Sequence, residues 1–401
     1  MTWQTLDDLQ IRGRRVLTRV DINVPIDQGR VADSTRIQRV APTIRRILER
    51  GGRPILMSHL GRPGGRIVPD LSLVAVVDTL SDAVNHPVTF VQELPGRAAA
   101  PAVDGMGEDT ILLLENLRFM PGEEKNDPNF AAELAALGDC FCNDAFSTAH
   151  RAHASTVGVP RFVPSCAGLL MQTELAALEI ALTAPERPLV AVVGGAKISS
   201  KLDLLDALVR KTDAMIIGGG MANTFLAAQG VNVGRSLYEP DLGKTALAIL
   251  ALAGAEGCTV LLPSDVVVAS EPREGVASRT VRAGQSVPGE MILDYGSDSL
   301  NQARRVIGQA RTVVWNGPLG VFEIPPFDHA TIALARFAAK RTMAGDLFSV
   351  AGGGDTVAAL NAAQVAESFS YLSTAGGAFL QWLEGRTLPA VQALKTQPAK
   401  G

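Results

Sequence analysis

The feature that most constrains this chain is a repeated junction: a short β-branched apolar run, a cluster of glycines, then residues with helical spacing. It occurs five times in the second half, as GGAK after PLVAVV, GGGMAN after AMII, NGPLG after TVVW, GGGDT after LFSVA and AGGA after YLST. Continuous rather than alternating apolar runs suit strands covered by helices on both faces, the environment of a parallel sheet. The first half alternates in the same way, with RVLTRVDINV, RPILMSH, VTFV, TILLLEN and CFCNDA each followed by a helical or loop segment. The fold class is therefore α/β. GVPRFVPSCAG, ending at Gly168, supplies two prolines and two glycines before the pattern restarts. Two sheets suit such a chain better than one of eleven strands. The expectation is two doubly wound, Rossmann-like parallel-sheet domains, at 1–168 and 169–384, joined by an interdomain helix over Met171 to Ala184 (MQTELAALEIALTA) and a hinge.

Composition narrows the setting. A chain of 401 residues with 47% hydrophobic and 19% charged residues has material for two cores. MTWQTLDDLQ is acidic where a signal peptide would be basic and then apolar, and ALAILALAGA (Ala246 to Ala255) is too short to span a bilayer. No membrane association and a cytoplasmic address are expected. Cys140, Cys142, Cys166 and Cys258 lack framework spacing and read as free thiols. Residues 1–66 carry thirteen Arg and no Lys against six acids, yet Trp3 is their only aromatic. A nucleic-acid partner would want aromatic platforms beside the cations, so none is expected; Arg12, Arg14, Arg15, Arg39, Arg45, Arg46 and Arg50 read as a solvated surface.

In doubly wound sheets ligands sit at the carboxyl ends of strands. In the second half those ends are glycine-rich helix starts, and several of them facing one crevice make an anion site. Thr356 can add a hydroxyl there. Asp355 would repel phosphate unless a cation lay between them, and Mg²⁺ typically bridges one or two carboxylates to phosphate oxygens; the plainer alternative is a helix-capping Asp. Gly243 to Thr245 (GKT) would need glycine at position 238 for a phosphate-binding P-loop and has Tyr238, and no GxGxxG follows a strand.

The first half has arginine and histidine at the corresponding places. RVDINVP ends a strand in Asp21 and Asn23, on one face, before Pro25; SHLGRP brings His59 and Arg62, ENLRF brings Arg118, and DAFSTAHRAHAS brings His150, Arg151 and His153. Guanidinium forks gathered at the ends of one sheet describe a cup for a small polyanion. A zinc site from Cys140, Cys142, His150 and His153 fits poorly, since Cys-x-Cys is not structural-zinc spacing and DAFSTA offers no knuckle. His86 and His329 have no partners in the sequence. A magnesium-nucleotide crevice in one half and an anion cup in the other form a phosphotransferase layout.

RVDINVP, SHLGRP, LLLENLRF, DAFSTAHRAH, GGAKISSK, GGGMANTFL, WNGPLGVFE, GGGDT and STAGGAFLQWLEG together resemble, in order and over essentially the whole chain, the signatures of the phosphoglycerate kinase family. The resemblance implies reversible phosphoryl transfer between 1,3-bisphosphoglycerate and ADP, giving 3-phosphoglycerate and ATP with Mg²⁺, in a cytoplasmic monomer whose segment 385–401 returns to the first domain. It implies that Asp21, Asn23, Arg36, His59, Arg62, Arg118 and Arg151 contact 3-phosphoglycerate, with Arg36 reaching the reacting carboxyl. Lys197 and Lys201 match phosphate lysines, their i, i+4 spacing placing both on one face of a helix start. Gly218, Gly219, Asn316, Pro318 and Glu323 match adenosine and ribose contacts; Gly352, Gly353, Gly354, Asp355 and Thr356 match the phosphate and magnesium loop. Arg36, Lys197, Lys201, Gly353 and Gly376 are the implied catalytic set, and Asp355 the implied metal ligand. The acceptor is itself a carboxylate, so no general base is needed. A non-catalytic sensor on the same fold would be expected to lose a charge-stabilising group, and another small-acid kinase would alter the cup. The chain departs from the family at Ile22 (usually Phe), Ser147 (Gly), Leu319 (Met) and Ala375 (Gly). Ile292 replaces a glycine in the stretch 289–299 that lines the adenine pocket, so a loose preference for adenine is expected.

Overall fold

The computed structural model describes residues 3–285 and 289–395. The chain divides into two compact units, one made of Met1–Leu175 with the segment from Thr387 onward, the other of Ala176–Arg386. Where a cut at 168/169 was expected, the division falls inside the continuous helix Leu169–Leu182. A glycine-rich linker marks where the sheet pattern pauses, but the first unit also claims the opening turns of the helix that follows. Residues 385 and 386 belong to the second unit. The helix Pro389–Lys395 belongs to the first, where Ala390 N donates to Ala149 O at 3.1 Å; residues 396–401 of the expected returning segment lie outside the described residues.

In the first unit the strands are β1 (Arg15–Arg19), a small hairpin of β2 (Ile26–Asp27) and β3 (Arg30–Val31), then β4 (Arg53–Met57), β5 (Val88–Val91), β6 (Ile111–Leu114), β7 (Cys140–Asn143) and β8 (Ser165–Ala167). Six of them form a parallel sheet in the order β5-β6-β4-β1-β7-β8. Alternation along each strand feeds two cores. Ile55, Met57, Leu112 and Leu114 pack with Phe130 and Leu134 on one face, while Leu56, Ile111 and Leu113 pack with Ile37, Ile44 and Leu80 on the other. Each such side chain contributes about 1.5–3 kcal/mol by leaving water. The chain runs outward from β1 through β4 and returns after β6 to the other side of β1 as β7. That reversal opens a crevice at the carboxyl ends of β1 and β7.

The second unit contains β9 (Leu189–Val193), β10 (Ala214–Ile217), β11 (Thr259–Leu261), β12 (Asp265–Ala269), β13 (Ser278–Arg282), β14 (Met291–Tyr295), β15 (Thr312–Asn316), β16 (Phe348–Gly352) and β17 (Tyr371–Ser373). Its main sheet is parallel, in the order β11-β10-β9-β15-β16-β17, and reverses direction between β9 and β15. A second, antiparallel sheet has the order β13-β12-β14. The run TVLLPSDVVVA, which reads as one strand, is two strands of different sheets, because Pro263 cannot donate to a ladder.

Cys140, Cys142 and Cys166 are buried with Leu6, Leu9, Ile11, Val16 and Ile47, and all four cysteines are free. Burial pushes the Cys140 thiol up to about 12. Of the arginines read as surface, Arg46 and Arg50 pair with Asp7 at 3.0 and 3.5 Å, and Arg15 with Asp104 at 3.1 Å. Exposed pairs of this kind hold the leading segment in place but add little stability.

Candidate active site

The first half-site grows out of the end of β1. Asp21 Oδ2 accepts from Arg36 Nη1 at 3.0 Å and from the Ser147 hydroxyl, while Arg36 Nη1 also donates to Asn23 O at 3.0 Å. Arg36 stands in the first turn of the helix Thr35–Glu49, so its stem is fixed while its guanidinium remains about one-third exposed, at 37%. Asn23 Oδ1 accepts from Gly61 N at 2.9 Å and so ties the end of β1 to the loop after β4. That loop carries Arg62, which is exposed. Two residues of LLLENLRF that the motif reading passed over secure it. Asn116 Nδ2 donates to Leu60 O and Leu71 O at 2.8 and 2.9 Å, and the Glu115 carboxylate accepts from Ser72 Oγ and Leu73 N at 2.6 and 2.9 Å. Arg118 completes the anchor, donating Nη1 to Gly61 O at 2.7 Å and pairing with Glu124 at 3.1 Å.

His59 is buried, and burial together with the nearby charges of Arg19, Arg118, Arg151 and His153 holds its pKa well below the ordinary value. His153 is lowered to about 4 by burial, then by Arg19 and Arg118, and His150 is lowered by burial and by Arg151. At neutral pH the cup is therefore built of permanent guanidinium charges and neutral imidazoles. Arg151 half-emerges beside His150, its Nε 3.2 Å from His150 Nε2. Arg19 and Glu123, both fully buried behind the cup, carry no part in the motif reading. The signal for Arg19 is a cation at the end of the strand run RVLTR, with apolar Val20 after it. Glu123 lies in GEEKND, a charge run that reads as a solvated turn.

The second half-site lies where β9, β10, β15 and β16 end. Several of its glycines serve the approach of the chain to itself. A Cβ at Gly218 would stand 2.5 Å from Leu319 Cα, and one at Gly352 would stand 2.6 Å from the Phe379 ring. By contrast, nothing lies within 4 Å of the Cβ positions of Gly354 and Gly376, leaving that backbone open to a ligand. Gly353 has φ +102°, a conformation costly for other residues, and it turns the chain into the helix Gly354–Ala362. Asp355 is exposed in the first turn of that helix. Thr356 is buried, its Oγ1 accepting from Gly317 N at 2.8 Å, so the hydroxyl expected to face a ligand ties two loops together. Asn316 is likewise buried and donates Nδ2 to Gly352 O at 2.7 Å.

The two lysines do not form the expected one-face pair. Lys197 is extended and exposed ahead of the turn Ile198–Lys201, and the helix begins only at Leu202, so the i, i+4 geometry is missing. Lys201 folds inward, with Nζ donating to Gly194 O at 2.6 Å and Asn316 O at 3.0 Å. Burial lowers it to about 8, against the opposing charge of Asp355. Beside it lies a cavity of about 350 Å³ bounded by Gly219, Pro318, Glu323 and Asp355 and by apolar Met291, Ile292, Leu293 and Leu319. Residues 291–295 of the stretch 289–299 line this cavity.

The Asp355 carboxylate suits Mg²⁺. It is exposed, at a helix start, on the rim of a cavity whose other walls include the glycine backbone at Gly195, Gly219 and Gly220, so an ion held there would be shared with phosphate oxygens. Among the described residues no three His, Cys, Asp or Glu side chains are grouped to hold a metal, and the histidines and cysteines of the weighed zinc reading stay apart, the thiols in a core and His153 beside Glu123.

Comparison with known proteins agrees with this arrangement. The family model described as phosphoglycerate kinase matches residues 6–386. A phosphoglycerate kinase from Ruegeria sp. (strain TM1040) is 58% identical over 396 residues, covering 99% of this chain and 100% of that protein. One from Dinoroseobacter shibae is 57% identical over 395 residues, with 98% and 100% covered. Among solved structures, phosphoglycerate kinase from Coxiella burnetii superposes with a TM-score of 0.91 at 40% identity, covering 98% of this chain and 99% of that one. That from Pyrococcus horikoshii OT3 gives 0.81 at 29% identity, with 98% of each covered. With the match running through both half-sites and nearly end to end, this chain belongs to the phosphoglycerate kinase family.

Proposed function

We propose that this chain carries out the family's reaction, reversible phosphoryl transfer between 1,3-bisphosphoglycerate and ADP giving 3-phosphoglycerate and ATP, with the acid in the cup of the first unit and the nucleotide in the cavity of the second. The observation that carries the placement is the gathering of Arg36, Arg118, Arg151 and neutral His59 where β1, β4, β6 and β7 end, with Asp21 pairing Arg36 and Glu124 pairing Arg118. Guanidinium groups match phosphate and carboxylate in pairs of hydrogen bonds, and a neutral imidazole adds a donor. Asp21 and Asn23 add acceptors for a hydroxyl.

The acceptor oxygen is already ionised, so no proton moves and the chain supplies position and charge. Arg36, resting on Asp21 and Asn23 O, is the cation for the reacting carboxyl. Lys201 is the cation for the transferring group, and its two carbonyl contacts aim it. Mg²⁺ bound at Asp355 would neutralise phosphate charge. The open backbone at Gly354 and Gly376 offers N–H groups to phosphate oxygens. The apolar walls at Ile292 and Leu319 receive the base by shape, and ADP and GDP should then give kcat/KM values within about tenfold of each other. A cytoplasmic monomer completes the reading; among the described residues no helix is long and apolar enough to cross a membrane.

The test is ATP-dependent phosphorylation of 3-phosphoglycerate with and without Mg²⁺, the acyl phosphate being drawn off by a coupled reduction. Magnesium-dependent turnover is expected. A folded sample that binds nucleotide but phosphorylates no 3-phosphoglycerate overturns the assignment.

A further inference from the structure

Behind the cup runs a buried chain of hydrogen bonds whose donors and acceptors can be assigned without ambiguity. A guanidinium is always protonated and can only donate. Arg19 Nη2 lies 3.0 Å from His59 Nδ1, so Nδ1 must accept, and a neutral His59 must then carry its proton on Nε2. Arg19 cannot turn away. Its Nε donates to Ser155 Oγ at 3.0 Å and its Nη1 to Val20 O. The Ser155 hydroxyl, accepting from Arg19, spends its own proton on Glu123 Oε1 at 2.6 Å, and Ser155 N donates to Oε2 at 3.0 Å. Arg19 is 1% exposed, Ser155 and Glu123 0%, and His59 4%, so water does not compete at any link.

We propose that Glu123 and Ser155 are positioning residues that act through Arg19 to hold His59 as the neutral tautomer protonated on Nε2, giving the anion cup a fixed N–H donor. Burial pushes the Glu123 carboxyl up, while Arg19 and the two hydrogen bonds from Ser155 favour its charged form, so carboxylate and guanidinium support each other here. A cation buried without a counter-charge costs several kcal/mol, and truncating either partner of such a pair leaves the other stranded. Glu123 is the larger of the two opposing charges on the fully buried Arg19, Asp21 being the other. The groups around His59 act in the same direction: Arg19, Arg118, Arg151 and His153 all disfavour a charged ring, and burial does so most strongly. Glu123 also lies 3.7 Å from His153 Nδ1, so the same carboxylate borders a second imidazole of the cup.

This inference rests on placing 3-phosphoglycerate in the cup, but its decisive readout needs no substrate. In the full-length ¹⁵N-labelled protein, long-range ¹H–¹⁵N spectra distinguish the two neutral tautomers and the charged ring, and the His59 signals are those missing in His59→Gln. A single Nε2-protonated pattern, unchanged from about pH 5.5 to about pH 8, is expected. In Ser155→Ala, which unhooks Arg19 from Glu123, the pattern should become an average of tautomers, and KM for 3-phosphoglycerate should rise about tenfold while kcat changes less than about threefold. Glu123→Gln keeps the shape and removes the charge, and should shift the His59 signals in the same direction if Ser155→Ala does not fold. A charged or Nδ1-protonated His59 in the unaltered protein, or variants that leave its tautomer untouched, overturn the proposal. If the unaltered protein shows the expected tautomer yet phosphorylates no 3-phosphoglycerate, the functional assignment fails and the relay stands.

Discussion

Lys201 is a candidate site residue whose chemistry the fold changes. Desolvation lowers it to about 8, with Asp355 opposing, and the role proposed for it needs the ammonium in the charged form. The sign follows directly: Lys201 is charged below about pH 8 and loses its proton as pH rises through that value, so kcat/KM, which reports the free enzyme, should fall on an alkaline limb centred there. Bound phosphate favours the ammonium, so the limb in kcat should move upward. Lys201→Arg cannot deprotonate and should flatten the limb at a lower absolute rate; an unchanged limb assigns it to another group. Arg36 is the complementary case. Arg36→Ala should reduce kcat by about 10²–10³ with only a modest rise in KM for 3-phosphoglycerate, as expected for a charge that matters most in the transition state, and steady-state kinetics decide it. Both residues stand at helical turns next to strand ends, Arg36 in the first turn of the helix Thr35–Glu49 and Lys201 at the end of the turn Ile198–Lys201. Arg19 and Glu123 were not legible as a pair because they are far apart in sequence, and only the fold brings Ser155 between them.

At the scale of elements, the helix Leu169–Leu182 begins on a buried carboxylate. Asp144 Oδ1 accepts from Met171 N at 3.1 Å, Thr43 takes the neighbouring Leu169 N at 3.0 Å, and Asp144 Oδ2 is buried without a partner. Burial raises Asp144 from 3.8 to about 7, despite the hydrogen bonds from Thr43, Met171 and Leu170. Its folded pKa lies above its unfolded one, so its contribution to stability is complete below about pH 4 and is lost as pH rises through about 7. Asp144→Asn imitates the protonated acid. Its Tm relative to the unaltered protein should therefore rise between about pH 5 and about pH 8, in thermal melts followed by circular dichroism. A constant difference would mean that Asp144 does not titrate in this window. Such a group shows where reading by element stops. The long apolar runs announce β1, β4, β6, β9, β15 and β16 because burial on both faces demands them. β8 is three residues long and lies in a stretch dominated by proline and glycine, and β13 is exposed along most of its length, so neither has an apolar run to announce it. The glycine clusters do mark the strand ends, but their meaning divides between loop packing at Gly218 and open backbone at Gly354, which spacing alone does not separate.

At the scale of the whole molecule, the sequence shows two patterns of strand and helix, and the structure gives each unit its own sheet, cores and crevice. The proposed reaction needs a group from each unit. A phosphoryl group passes only when attacking and leaving oxygens are in line and a few ångströms apart with water excluded, a geometry that neither half-site can supply alone. If the acid binds in one unit and the nucleotide in the other, the two ligands must be brought together during turnover; on the proposal that this is done by closure, each ligand can drive it only by as much as it binds the closed state better. Either ligand alone contacts one unit and should change the population little; both together should favour closure. Small-angle scattering should therefore show no more than a slight decrease in radius of gyration with 3-phosphoglycerate or Mg-ADP separately, and a clear decrease with both. Arg36→Ala should weaken that joint effect if Arg36 serves the reacting carboxyl as proposed. A radius of gyration that is the same in all four states would rule out large closure and require the two ligands to meet by another route.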